Sequence, residues 1–465
     1  MRKTYFTGFL ILITCVCCSR FLDKEPTNEI PEEKAYLRFS DIETGLNGCY
    51  KCMLAVGYYG KNFILYPEIA SDNMKINLAR TTGSFQSVYL FTLGAASAEP
   101  KDLWNAGYEV IHCANQIIKA LPGITDGTGE QRSSALGEAL AIRALAHFDM
   151  VRAFAQPYDF TPDASHPGVP VMTENTTTLS PSRNTVAEVY TQVLNDLSRA
   201  EEIISSGGRN APFTFSRTAV QALMARVFLY KKDWENAAKY AVLVIQAKGD
   251  TLLSRELFPV MWATEYEDKE DLLVLGFTSF DYLTTRSLGY QLLENGYGDI
   301  VATNDLYALM DENDIRKKLI SHVNGVNYCL KYPGRNYTIG LDNIRVLRLS
   351  EMYLIAAEAM SEITGKEDSA RYYLNKLRRA RIEKVAGVTA TGDSLKTLIM
   401  EERRRELAFE GHRLFDLLRR KQGVVRTDVL PGSPSTKPYG DDRLIMPIPQ
   451  RELDANKNMT QNPGY

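Results

Sequence analysis

The chain has little histidine and tryptophan: five and three in 465 residues. None of His112, His147, His166, His322 and His412 lies three or four residues from another histidine or a cysteine. The spacing with which one helix turns two zinc ligands to the same side is therefore absent, and no metal centre is expected. A G-x-x-x-x-G-K-[ST] phosphate loop, a G-x-S-x-G nucleophile elbow and a D-x-D-x-D-G calcium array are missing too, which removes the sequence basis for a nucleotide, acyl-transfer or calcium site. An excess of one charge is also lacking, with Lys+Arg 54 against Asp+Glu 57 and a net charge of -3. The basic run Arg403, Arg404 and Arg405 is interleaved with Glu401, Glu402 and Glu406, as in an ion-paired helix rather than a phosphate-binding surface. After the first twenty residues no apolar run approaches the ~18 residues that a spanning helix takes.

Cysteine is scarce as well, and three of the seven, Cys15, Cys17 and Cys18, crowd into the first 18 residues. Arg2 and Lys3 precede an apolar run over residues 5–16 that ends in Cys17-Cys18-Ser19-Arg20. A short apolar stretch with a basic start and a small residue before a cysteine is the layout of a bacterial lipoprotein signal. Residues 1–17 are expected to be removed and Cys18 to be acylated. Cys15 stands where such signals usually carry leucine, which leaves Cys17 as the alternative. Removal takes Arg2 and Lys3 with it and brings the net charge from -3 to -5.

Apolar residues recur at steps of three and four in several stretches, the mark of amphipathic helices. In 130–155 they include Leu136, Leu140, Ala144 and Phe148, and in 185–204 Val189, Val193, Leu197 and Ala200. Residues 216–247 read as two helices around a turn at Lys232-Asp233, and 349–381 as a parallel case broken at Gly365. Small residues at the crossings (Ala222, Ala225, Ala237) with large ones between (Trp234, Tyr240) suit a helical-hairpin repeat. Adding residues 39–56 with 102–121 predicts about four helix pairs, a mainly α, tetratricopeptide-like scaffold. Residues 57–101 and 251–343 and the C-terminal stretch from 424 are rich in Gly, Tyr, Asn and Asp with weak periodicity. They predict loops and short strands, a mixed α/β insertion on a helical frame.

The C-terminal third carries an ordered set of motifs: RVLRLSEMYLIAAEA from Arg345, LNKLRRAR from Leu374, MEERRRELAFEGHRLFDLLR from Met400 and a last segment ending in Gln-Asn-Pro-Gly-Tyr. With Cys18-Ser19-Arg20-Phe21-Leu22-Asp23 and Ser71-Asp72-Asn73 near the front, they identify the chain as resembling the SusD/RagB family of surface nutrient-binding lipoproteins. The resemblance implies a non-catalytic protein, lipid-anchored on the outer membrane and exposed at the cell surface, that passes an oligosaccharide to a TonB-dependent SusC-like barrel. It also admits a peptide-binding, RagB-like role, or that of a structural lid or adaptor on the barrel. The implied division is a signal peptide (1–17), an N-terminal region (18–250, with the loop insertion 57–101), a ligand-binding insertion (251–343) and a C-terminal region (344–465). Residues 400–419 read as one docking helix with buried ion pairs, and 446–465, with Pro447, Pro449 and Pro463, as an extended strap.

No cofactor is expected. Cys49 and Cys52 form a C-x-x-C without a second pair or a βαβ context, which reads as local thiols rather than a redox centre. The acidic clusters at 401–410 and 265–271 are mixed with basic residues, and no hydrolase is expected. Tyrosine is plentiful at 25, and its ring stacks on a pyranose face while its hydroxyl bonds the sugar's. The candidate ligand-binding residues are Tyr58, Tyr59, Asp72, Asn73, Tyr89, Tyr282, Tyr290 and Tyr297, with Tyr66, Asn77, Arg80 and Asn295 as further members of the same loops. Trp104 and Trp262 are expected in the core.

Overall fold

The computed structural model describes residues 35–175 and 180–465; the signal segment and Cys18 lie outside the described residues. Eight helices form four antiparallel pairs: α1 (Phe39–Met53) on α2 (Ala98–Ala120), α3 (Gly129–Phe154) on α4 (Val186–Ile203), α5 (Arg217–Lys231) on α6 (Trp234–Ala247), and α7 (Leu349–Glu362) on α8 (Glu367–Arg381). The starts are set locally. Thr128 Oγ1 accepts from Gln131 N while Gln131 Oε1 accepts from Thr128 N, and Thr185 and Glu188 do the same, two reciprocal caps. Lys232, in the left-handed region at φ 61, turns the chain between α5 and α6, and Asp233 caps α6 through Asn236 N. Gly107 lets α2 approach α3: a Cβ there would lie 2.4 Å from Met150 Sδ. Pairs also stack on one another, α4 on α5 and α6 on α7, although about a hundred residues separate α6 from α7. The array is thus continuous past the insertion, and Trp104 and Trp262 are buried in the core as expected.

The two loop-rich segments, apart in sequence, are one unit in space. A four-stranded antiparallel sheet runs in the order β1 (Met74–Ile76), β3 (Ile300–Ala302), β5 (Val326–Cys329), β4 (Ile320–Val323), with Met74 opposite Ala302 and Ile76 opposite Ile300. Asn324 and Gly325, both at positive φ, make the tight turn between β4 and β5. A second pair, β2 (Asp271–Leu275) with β6 (Ile344–Arg348), runs directly into α7.

The reading of 400–419 as one helix needs correction. The chain forms α9 (Gly392–Leu407) and α10 (Arg413–Arg419), broken where Phe409 and Gly411 take positive φ. The N–H groups freed at the break are claimed by the buried Glu68 carboxylate, which accepts from Phe409 N (3.1 Å), Gly411 N (3.0 Å) and His412 N (3.0 Å). The expected ion pairs are present and extensive. Arg316 meets Glu402 at 2.6 Å, Arg348 meets Glu410 at 2.7 Å, Arg381 meets Glu270 at 2.6 Å and Glu406 at 3.1 Å, and Lys331 meets Glu410 at 2.6 Å, all buried. Each such charge is costly to bury alone, so the network ties β6, α8, α9 and the insertion into one arrangement. The C-terminal strap is also not wholly irregular: Gln450–Ala455 is a short helix starting just after Pro449, whose fixed φ suits a helix start.

Candidate functional site

Five of the eight expected ligand residues lie in the interior, a correction to the reading from composition. Tyr58 and Tyr59 are 0% and 3% exposed, and both hydroxyls donate to the same Asp149 Oδ2, at 2.5 and 2.7 Å. Burial, reinforced by that carboxylate, pushes both phenols well up. Tyr89 is buried beneath the Arg426 guanidinium, 4.3 Å from its ring centre. Asp72 takes Arg413 in a two-point contact at 2.7 and 2.8 Å. Burial alone would raise its carboxyl, but Arg413 and Arg404 hold it below the usual range. Asn73 donates to Glu68 at 2.8 Å and accepts from Arg404 at 2.9 Å. Asp72 and Asn73 therefore join the N-terminal region to α9 and α10, with their polar atoms already used.

The other three, Tyr282, Tyr290 and Tyr297, reach the surface of the insertion. The Tyr290 and Tyr297 rings meet edge to face at 5.0 Å, and Tyr297 N donates to Tyr290 O at 2.7 Å. Arg80 clamps this loop from the N-terminal segment, donating to Glu294 O (2.6 Å) and Gly296 O (3.0 Å), and Asn77 donates to Gly298 O (2.9 Å). Arg80 and Asn77 thus support the platform, and Asn295 is exposed at its edge.

Among the described residues, two rings not singled out in the sequence stand furthest into solvent: Phe280, 99% exposed, and Tyr337, 108%. Tyr337 tips a hairpin in which Thr338 N donates to Arg335 O at 2.9 Å and both central residues, Asn336 and Tyr337, have positive φ. Arg335 Nη2 reaches Phe277 O at 2.6 Å and Asn343 Oδ1 at 3.0 Å, latching this hairpin to the loop that carries Phe280. At its base, Gly334 N donates to Asp342 Oδ1 at 2.6 Å. Gly340 closes on Ser287, which begins the short helix leading to Tyr290; a Cβ at 340 would lie 2.1 Å from Ser287 Oγ. Phe280, Tyr282, Tyr290, Tyr297 and Tyr337 therefore belong to one connected, turn-built surface, with Tyr266 exposed on the neighbouring loop against Phe213. A signal was present in the sequence. Phe280 and Tyr337 stand directly among turn formers (Thr-Ser-Phe-Asp and Pro-Gly-Arg-Asn-Tyr), which place a ring on a turn rather than on a packed face.

A surface of exposed and half-buried rings with the Asn295 amide at its margin can stack on flat apolar faces and bond to hydroxyls at their rim. A cavity of about 730 Å³ lies elsewhere, between α2 and the C-terminal strap. Its walls are largely used: the Tyr108 hydroxyl donates to Pro170 O at 2.9 Å and Trp104 packs edge-on against Phe154.

Residues 20–229 match the family model described as "Starch-binding associating with outer membrane", and residues 324–465 that of the SusD family. A putative sugar binding protein from Bacteroides vulgatus is 32% identical with a TM-score of 0.85, covering 93% of this chain and 99% of that one. A SusD superfamily protein from the same species is 28% identical with a TM-score of 0.86, covering 92% and 100%. SusD-like protein P2 of Formosa agariphila is 28% identical over 524 residues, covering all of both chains. The helical pairs, the ion-paired joint around α9 and these full-length matches agree: the chain belongs to the SusD family.

Proposed function

We propose that this protein binds oligosaccharide at the surface of a Gram-negative cell, without catalysis, and delivers it to a TonB-dependent SusC-like outer-membrane barrel. Acylated Cys18 would be its anchor; among the described residues no helix is long and apolar enough to cross a membrane. The observation that carries the reading is the aromatic surface formed by the exposed rings of Phe280, Tyr297 and Tyr337 with the half-buried Tyr282 and Tyr290 beside them, carried on a rigid helical frame. Binding there is reversible stacking, and lid-like movement over the barrel would confine the sugar. The similarity to a putative sugar binding protein and to a starch-binding family model supports glycan over peptide as the ligand.

Titration calorimetry against a glycan panel tests this. A ring face covering roughly 60–80 Å² of pyranose is worth ~1.5–2 kcal/mol. The double substitution Phe280→Ala, Tyr337→Ala therefore weakens glycan binding on the order of a hundredfold. Binding of peptides and no glycan would reassign the substrate class. Unchanged uptake with the surface rings removed and the barrel complex intact would favour a pure adaptor.

A further inference from the structure

The C-x-x-C on α1 does not act as a pair by itself; its nearest sulfur partner comes from the next helix. Cys49 and Cys52 lie three residues apart on α1, and Glu109 and Cys113 four apart on α2, so each helix turns two of these side chains to one face. Where α1 packs on α2, the faces meet. Cys52 Sγ lies 3.8 Å from Cys113 Sγ, and Cys113 Sγ 3.8 Å from Glu109 Oε1. The ligand atoms of Cys52, Glu109 and Cys113 all fall within 4.8 Å of one another, and Cys49 contacts Cys113 from the buried side.

Two sulfurs bound at ~2.3 Å to one tetrahedral Zn²⁺ stand about 3.8 Å apart, the separation seen between Cys52 and Cys113. A disulfide would bring them to about 2.05 Å, and all four described cysteines are free. Cys52 and Cys113 are half-buried while Glu109 is exposed, so a cation has a path in and one coordination position remains for water or Cys49. His112 is turned aside, its Nε2 against Gln116 Nε2 at 3.1 Å.

We propose that Cys52, Cys113 and Glu109 bind a thiophilic divalent cation of the Zn²⁺ class, which staples α1 to α2 in the first helix pair. On binding, two S–H bonds break, two metal–sulfur bonds form and two protons leave to solvent; no electrons are transferred.

Co²⁺ is the probe, added to the reduced, chelator-treated full chain under anaerobic conditions. One equivalent is expected to give a sulfur-to-cobalt charge-transfer band with tetrahedral ligand-field bands, displaced by Zn²⁺, with release of two protons per metal. C113S abolishes the charge-transfer band, E109Q keeps it but weakens binding by about tenfold or more, and C329S, far from the cluster, changes nothing. Should C113S fail to fold, protection of the wild-type Cys52 and Cys113 from alkylation by one equivalent of Zn²⁺ takes its place. Absence of a charge-transfer band at stoichiometric Co²⁺, its survival in folded C113S, or alkylation unaffected by Zn²⁺ would overturn the site.

Discussion

Tyr337 follows Asn336 at the tip of its hairpin, with φ of 60 and 50, positions that glycine fills without steric cost. A bulky residue held there stores strain of order 1–3 kcal/mol, and the tyrosine has no packing contact that would offset it. Tyr337→Gly is therefore expected to raise stability by about 1 kcal/mol in urea unfolding while weakening glycan binding in calorimetry. A loss of stability would mean that the ring supports the fold. Tyr58 and Tyr59 are the opposite case. Replacing either by Phe removes one hydroxyl from Asp149 and should cost about 1 kcal/mol of stability while leaving glycan affinity unchanged. Nothing local in the sequence separates these tyrosines from Tyr282 or Tyr297. Their burial is decided by Asp149, about ninety residues away, and by its ion pair with Arg152. Tyrosine abundance thus pointed to buried and surface rings alike, because amphipathic rings give no sign of which side of a loop they take.

At the scale of elements, helix existence and pairing were legible, because periodicity and caps are local and strong: Thr128, Thr185 and Asp233 each start a helix where the pattern begins. The pairing of β1 with β3, across more than two hundred residues, left no local trace. Nor did the break between α9 and α10, because the group that stabilises it is Glu68, from a different part of the chain. Glu68→Ala would leave four backbone N–H groups, those of Phe409, Gly411, His412 and Arg413, and the Asn73 amide without this acceptor. A loss of roughly 3–5 kcal/mol is expected, read as a lower urea midpoint with unchanged slope. The strap shows the same dependence. Met446 N donates to Ala153 O (2.8 Å), Asn462 Nδ2 to Phe154 O (2.8 Å) and the Tyr465 hydroxyl to Ile445 O (2.6 Å), with Met446 and Ile448 fully buried. Deleting residues 446–465 should lower Tm without a selective loss of glycan binding; an unchanged Tm would refute the strap's role.

For the molecule as a whole, buried titratable groups set opposing responses to pH. His147 Nδ1 faces Arg143 O at 3.0 Å and its Nε2 accepts from Met172 N at 3.1 Å, a pair of contacts only the neutral ring satisfies. Burial drives His147 down to about 4 and His412 to about 3. Their stabilisation is complete above the ordinary histidine value and is lost as pH falls from about 6.5 through those values. Glu351, held down at about 2 by Arg226 against the effect of burial, adds a further loss below the ordinary carboxylate range. Asp342 works the other way. Burial lifts its carboxyl to about 7, so the native state holds a proton that the unfolded chain releases near 4, and that stability is present in acid and lost as pH rises through about 7. Asp342→Asn keeps an acceptor for Gly334 N at the base of the Tyr337 hairpin and removes the charge. Its effect on unfolding free energy should be near zero at about pH 4 and stabilising at about pH 8, by at most roughly 4 kcal/mol. A pH-independent difference between the two proteins would show that the Asp342 carboxyl titrates alike in the folded and unfolded chain. A stabilising difference confined to alkaline pH would place a neutral carboxyl beneath the aromatic surface.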